Sequence, residues 1–130
     1  NTLQPFAGRA ALATGDSDLD VCVGLMQANI EEPLPIAKIA AQAKVSKRSL
    51  ERKFHRIMHT TPNGYYRELR LSQANNLLLN TNMTIQEIGL ATGFTSGFAR
   101  VYRSVFGMTP NAARQKRAGQ PTRSAKDGAN

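Results

Sequence analysis

The sequence predicts an all-α fold of about seven helices, with two small helix-turn-helix lobes joined by one long connecting helix. Three observations carry that expectation. The chain repeats itself at a fixed offset, a long helical stretch lies between the copies, and basic charge is concentrated over the same region.

The repeat is legible residue by residue. Ile36, Ile39, Ala40, Lys44, Val45 and Ser46 are matched 49 positions on by Ile85, Ile88, Gly89, Gly93, Phe94 and Thr95. After a one-residue slip, Leu50, Arg52, Phe54, Met58, Thr61 and Pro62 are matched 48 positions on by Phe98, Arg100, Tyr102, Phe106, Thr109 and Pro110. A register kept for so long marks two copies of one supersecondary unit. The expected division is a linker over 1–16, a first lobe over 17–60, the connecting helix over 61–81, a second lobe over 82–117 and a disordered basic tail over 118–130.

Residues 1–15 mix Pro, Gly, Ala and Thr without period. A helix should begin near Asp16-Ser17, with Asp18 and Asp20 in a first turn whose dipole favours acids. Leu19, Cys22, Val23, Met26 and Ile30 then follow helical spacing, which makes Cys22 a small buried hydrophobe with no basic neighbour to activate it. Glu31 to Pro35 breaks that helix. A short one follows with Ile36, Ile39, Ala40 and Ala43 on one side, and Ser46 is a good N-cap for the next. This third helix should bury Leu50, Phe54, Ile57 and Met58 and turn Lys47, Arg48, Glu51, Arg52, His55 and Arg56 outward.

Thr61-Pro62 opens the connecting helix, since Pro loses nothing in a first turn and Thr can cap it. From Asn63 to Asn80 it would span about 27 Å at 1.5 Å per residue. Leu71, Ala74 and Leu78 lie on one face, and Tyr66, Leu69 and Leu77 on its neighbour. In the second copy, Thr84-Ile85-Gln86-Glu87 has the form of a capping box and Gly93 supplies a left-handed stop. Phe98, Val101, Tyr102, Val105 and Phe106 should form a buried face ending at Gly107. Thr109-Pro110 starts a last short helix through about Arg117, and the residues beyond lack apolar anchors.

The net charge of +8 is unevenly spread. Residues 1–32 hold one Arg against five acids, whereas 33–117 hold fourteen Lys or Arg against Glu51, Glu68 and Glu87. Basic surface of this kind suits nucleic acid, ribosomal contacts or a membrane surface. No run approaches the ~18 apolar residues of a membrane span, and a single cysteine fits a reducing cytoplasm. There is no paired-carboxylate site, no His/Cys/Asp cluster with ligand spacing and no Gly-rich phosphate loop, so neither an enzyme nor a metal or cofactor is expected.

With these residues in place, the chain resembles the DNA-binding domain of the AraC/XylS family of bacterial transcription regulators. The resemblance covers about residues 19–117 and rests on Ile39-Ala40, on Ser46, Arg48, Leu50, Arg52 and Phe54, on Arg70-Leu71 with Ala74 and Leu77-Leu78, and on Gly93-Phe94. Its strongest piece is the closing pattern Phe98, Arg100, Tyr102, Phe106-Gly107 and Thr109-Pro110. Asn63-Gly64-Tyr65-Tyr66, with Leu69-Arg70-Leu71, also resembles members that carry an amidotransferase-like N-terminal domain.

The resemblance implies two lobes held by the connecting helix, double-stranded DNA as the partner and both recognition helices in the major groove on one side of the duplex. It further implies RNA polymerase as a partner, and an effector and dimerisation acting through an N-terminal domain. Carried over by position, base-edge contacts come from Arg48, Glu51 and Arg52 in the first lobe and from Ser96 and Arg100 in the second. These types suit that work, because Arg grips guanine O6 and N7 and Glu accepts from cytosine N4. Lys47, Lys53, Arg56, Arg103 and the helix start at Thr109 suit phosphates.

The sequence departs from the family pattern in three respects. From Gly93 to Phe98 there are five positions where about seven are usual, and Gly97 offers no side chain where base readers sit. Lys44 and His59 stand where Gly is usual. Pro35 stands where a capping Ser or Thr is usual. A helical module for protein partners and a sequence-indifferent DNA binder are the competing classes.

Overall fold

The computed structural model describes residues 14–126, with side chains through Ala118. Among them are seven α-helices and no strand: α1 Ser17–Ala28, α2 Ile36–Gln42, α3 Lys47–Lys53, α4 Pro62–Asn80, α5 Ile85–Ala91, α6 Phe98–Phe106 and α7 Pro110–Lys126. The chain falls into two compact units, and the boundary lies inside α4, between Gln73 and Ala74.

The first unit is built around Leu19, Cys22, Val23 and Met26 of α1, Ile36 and Ile39 of α2, Leu50 of α3, and Tyr66 and Leu69 of α4, together with Phe54. Each fully buried Leu, Ile, Phe or Met contributes roughly 1.5–3 kcal/mol. Ile30, Ala43, Ile57 and Met58 pack against this core from its margin. Asp16 caps α1 by accepting from the Leu19 N–H at 3.0 Å. Thr14 donates through both its N–H and its hydroxyl to the Asp20 carboxylate, so residues 14–16 of the expected linker are tied to α1; residues 1–13 lie outside the described residues. Burial raises the Cys22 thiol to about 11, with the charges of Asp18 and Asp16 adding to the effect.

Tyr66 fastens the loop between α1 and α2. Its hydroxyl donates to the Asn29 carbonyl at 2.5 Å and accepts from the Leu34 N–H at 3.1 Å. Those two loop groups would otherwise need water under a packed helix. The Arg70 guanidinium lies 5.6 Å from the Tyr66 ring centroid, and burial lowers its pKa.

In the second unit Ala74 and Leu78 of α4 are buried, as are Ile88, Phe94, Phe98 and Tyr102. Thr84 and Glu87 form the expected capping box at α5. Phe94, Phe98, Tyr102 and Phe106 make a run of tilted or edge-on ring pairs, with centroids 5.5, 5.9 and 4.4 Å apart in turn. The Tyr102 hydroxyl donates to Asn75 Oδ1 at 2.6 Å, and burial raises its pKa. Arg114 of α7 donates to the Leu78 and Thr81 carbonyls, closing the C-terminal end of α4 with a cation where the dipole favours one.

Three expectations need correction. The third helix changes pitch, since residues Phe54–Met58 form a π-helical turn after α3. Val105 and Phe106 are 49% and 38% exposed, because α6 ends at Gly107 and its last turn runs past the core that holds Phe98 and Tyr102. The tail expected to be disordered from Ala118 is instead helical as far as Lys126, and 127–130 lie outside the described residues. Gly119 and Pro121 disfavour a helix interior and the stretch has no apolar anchors, so local propensity does not account for this continuation of α7.

Candidate nucleic-acid interface

In the first unit, Ser46 starts the reading helix by accepting from the Ser49 N–H at 3.0 Å. Leu50 and Phe54 hold one side of it in the core at 0% exposure, which fixes what the other side presents. Lys47, Arg48, Glu51, Arg52, His55 and Arg56 are all exposed, as the spacing requires. Arg48, Glu51, Arg52, His55 and Arg56 line one shallow depression. Beside it, Lys47, Glu51 and His55 share a second depression with Thr60, Thr61 and Asn63 at the start of α4. The result is an exposed, largely basic strip, the ridge of this helix, with a single carboxylate, Glu51, among its donors. Such a surface can present bidentate donors and one acceptor to base edges while neighbouring cations meet phosphates.

The backbone that frames this ridge is left-handed at both ends. Lys44 has φ 62° in the turn between α2 and α3, and His59 has φ 59° after the π-helical turn. Neither has the freedom of Gly, so the first lobe accepts strain at both positions.

Lys53 does not join the ridge. Its ammonium is 2.6 Å from Asp16 Oδ2 and 3.8 Å from Asp18 Oδ2. The ammonium beside Asp16 holds that carboxyl below its usual range, with the Leu19 N–H adding to the effect. A residue placed among the phosphate contacts by the family resemblance is engaged at the N-terminus of α1. The acids of that first turn were visible in the sequence, but which cation they would meet was not.

In the second unit, Arg100 and Arg103 are exposed on α6, while Ser96 lies exposed in the bend before it. Gly97 is the N-cap, left-handed at φ 74° and without a side-chain cap. A Cβ at this position would stand 3.1 Å from Arg100 Nη2, so the guanidinium folds back over the start of its own helix. Thr109 caps α7 by accepting from the Ala112 N–H at 3.1 Å. The five-position turn from Gly93 thus leaves Arg100 and Arg103 as the long donors on α6. Among the described residues no group of His, Cys, Asp and Glu is placed to hold a metal, and no helix is long and apolar enough to cross a membrane.

A family model described as a helix-turn-helix domain matches residues 39–116. The HTH-type transcriptional regulator ArgR of Pseudomonas aeruginosa is 44% identical over 121 residues, covering 92% of this chain and 37% of that protein. The regulator GbdR of the same species is 42% identical over 112 residues, covering 85% of the chain and 30% of that protein. The chain therefore spans about a third of these curated relatives. A transcriptional regulator from Chromobacterium violaceum, described as AraC-type DNA-binding domain-containing, superposes with a TM-score of 0.74 at 48% identity, covering 78% of this chain and 93% of that one. The DNA-binding domain of AdpA, solved in complex with a target DNA, gives 0.72 at 26% identity, covering 77% and 93%.

Proposed function

The chain belongs to the AraC/XylS family of helix-turn-helix regulators, and from that premise we propose that it binds double-stranded DNA sequence-specifically to regulate bacterial transcription. The observation that carries this reading is the α3 ridge, where buried Leu50 and Phe54 force Arg48, Glu51, Arg52, His55 and Arg56 outward together. In this reading α3 and α6 each enter a major groove. Arg48, Glu51, Arg52 and Arg100 read base edges, with Ser96 a minor contributor from the bend. Lys47, Arg56, Arg103 and the α7 start at Thr109 hold phosphates. Lys53 serves the fold through Asp16 instead.

The relatives are about three times as long as this chain, so an effector, dimerisation and contact with RNA polymerase are proposed for the whole regulator, acting in a bacterial cytoplasm. Anisotropy titrations with labelled duplex at increasing salt test the DNA reading. Counterion release makes log K fall linearly with log salt, by about 0.9 for each phosphate neutralised. A flat response, or equal competition by selected and random duplex, overturns it.

A further inference from the structure

The second unit carries a surface that DNA reading does not use. Leu79, Phe106 and Met108 line an open cleft of about 270 Å³ between the end of α4, the end of α6 and α7, with Lys116 and Arg117 beside them. The cleft is smaller than the ~300–1,000 Å³ of drug-sized ligand sites, so it suits an inserted side chain better than an enclosed metabolite. Phe106 is a ring left 38% exposed, with Val105 next to it at 49%. A phosphodiester has no use for this apolar lining.

Charge narrows the occupant. Lys116 and Arg117 are both exposed beside the cleft. From Ile88 to Lys126 the sequence has no Asp or Glu. We propose that this cleft docks an acidic amphipathic helix of a protein partner. An apolar side chain of that helix enters over Leu79, Phe106 and Met108, and a carboxylate one turn away pairs with Lys116 and Arg117. Apolar anchors at i, i+3 or i+4 and i+7, flanked by acids, are the pattern such a groove selects. Complementary charge at the rim sets the partner's sign and orientation, and like charges brought together there strongly disfavour a partner.

The probe is a short fluorescein-labelled helical peptide with leucines at i, i+3, i+4 and i+7 and glutamates between them, titrated into the full chain. Saturable binding is expected, with amide shift changes centred on Leu79, Met108 and Lys116. Lys116→Glu with Arg117→Glu should weaken it by about tenfold or more, and Phe106→Ala should weaken it likewise. The charge variant alters exposed positions only, so it decides the matter even if Phe106→Ala unfolds. No saturable binding, equal binding of a peptide with serines for leucines, or shift changes outside the cleft would overturn the proposal. So would duplex DNA producing the same cleft shifts, which would give the surface to nucleic acid, or peptide-sensitive self-association, which would give it to a second copy.

Discussion

Lys44 and Gly93, 49 positions apart in sequence, hold the same turn of the two lobes, and both are left-handed, at φ 62° and 85°. His59 and Gly107 repeat the relationship 48 positions apart, at φ 59° and 82°. The geometry is common to both copies, whereas only the second copy has the residue that adopts it without steric cost.

Lys44→Gly should therefore stabilise the protein. Removing a left-handed side chain recovers about 1–2 kcal/mol, from which the greater freedom of an unfolded Gly takes roughly 0.5–1. A gain of about 0.5–1 kcal/mol in urea unfolding, with unchanged m, is the expected result. A loss would mean that Lys44 makes a compensating contact through its side chain.

Tyr66→Phe removes one hydroxyl that serves both the Asn29 carbonyl and the Leu34 N–H. Leaving a buried backbone group unsatisfied costs about 1–3 kcal/mol, and these two are only partly buried, so the cost should lie near the lower end. The loss should appear as a lower denaturant midpoint, with faster amide exchange at Leu34. Wild-type protection at Leu34 in the mutant would show that water replaces the hydroxyl.

The Lys53–Asp16 pair predicts an acid-sensitive first lobe. The folded pKa of Asp16 lies below its ordinary value, so its stabilisation is complete above pH ~4 and fades as the pH falls through the folded pKa. Lys53→Ala should lower the thermal midpoint at neutral pH and reduce this acid dependence. It should leave the salt slope of DNA binding unchanged. A slope reduced by about one unit would return Lys53 to the phosphate contacts.

The second lobe should carry less sequence information than the first. Ser96 sits in a bend, Gly97 has no side chain, and Arg100 must leave its place over Gly97 to reach a base. A motif selected from random duplex should have one strong half and one weak half. Halves of equal information would mean that the bend reaches the groove by another route.

Much of this was legible in the sequence because it is local. Ser46, Thr61, Thr84 and Thr109 each cap the helix their spacing predicts, and helical periodicity separates buried Leu50 and Phe54 from the exposed ridge. What escaped depends on partners distant in the chain. Lys53 stands on a basic helix, but its partner Asp16 lies 37 positions away. Arg114 closing α4, and Tyr102 meeting Asn75, are likewise long-range pairings that no periodicity encodes. Phe106 has the right spacing for a core position, yet the core ends before the helix does.

Binding-site selection on the parent chain and on Arg52→Ala, run in parallel at one salt concentration, tests the central claim most directly. The parent should enrich one motif. Arg52→Ala should bind that motif about 1–3 kcal/mol more weakly and lose preference at one or two base pairs, while its random-duplex affinity falls much less. No enriched motif from the parent, or the parental motif intact in the mutant, would contradict base reading by the α3 ridge.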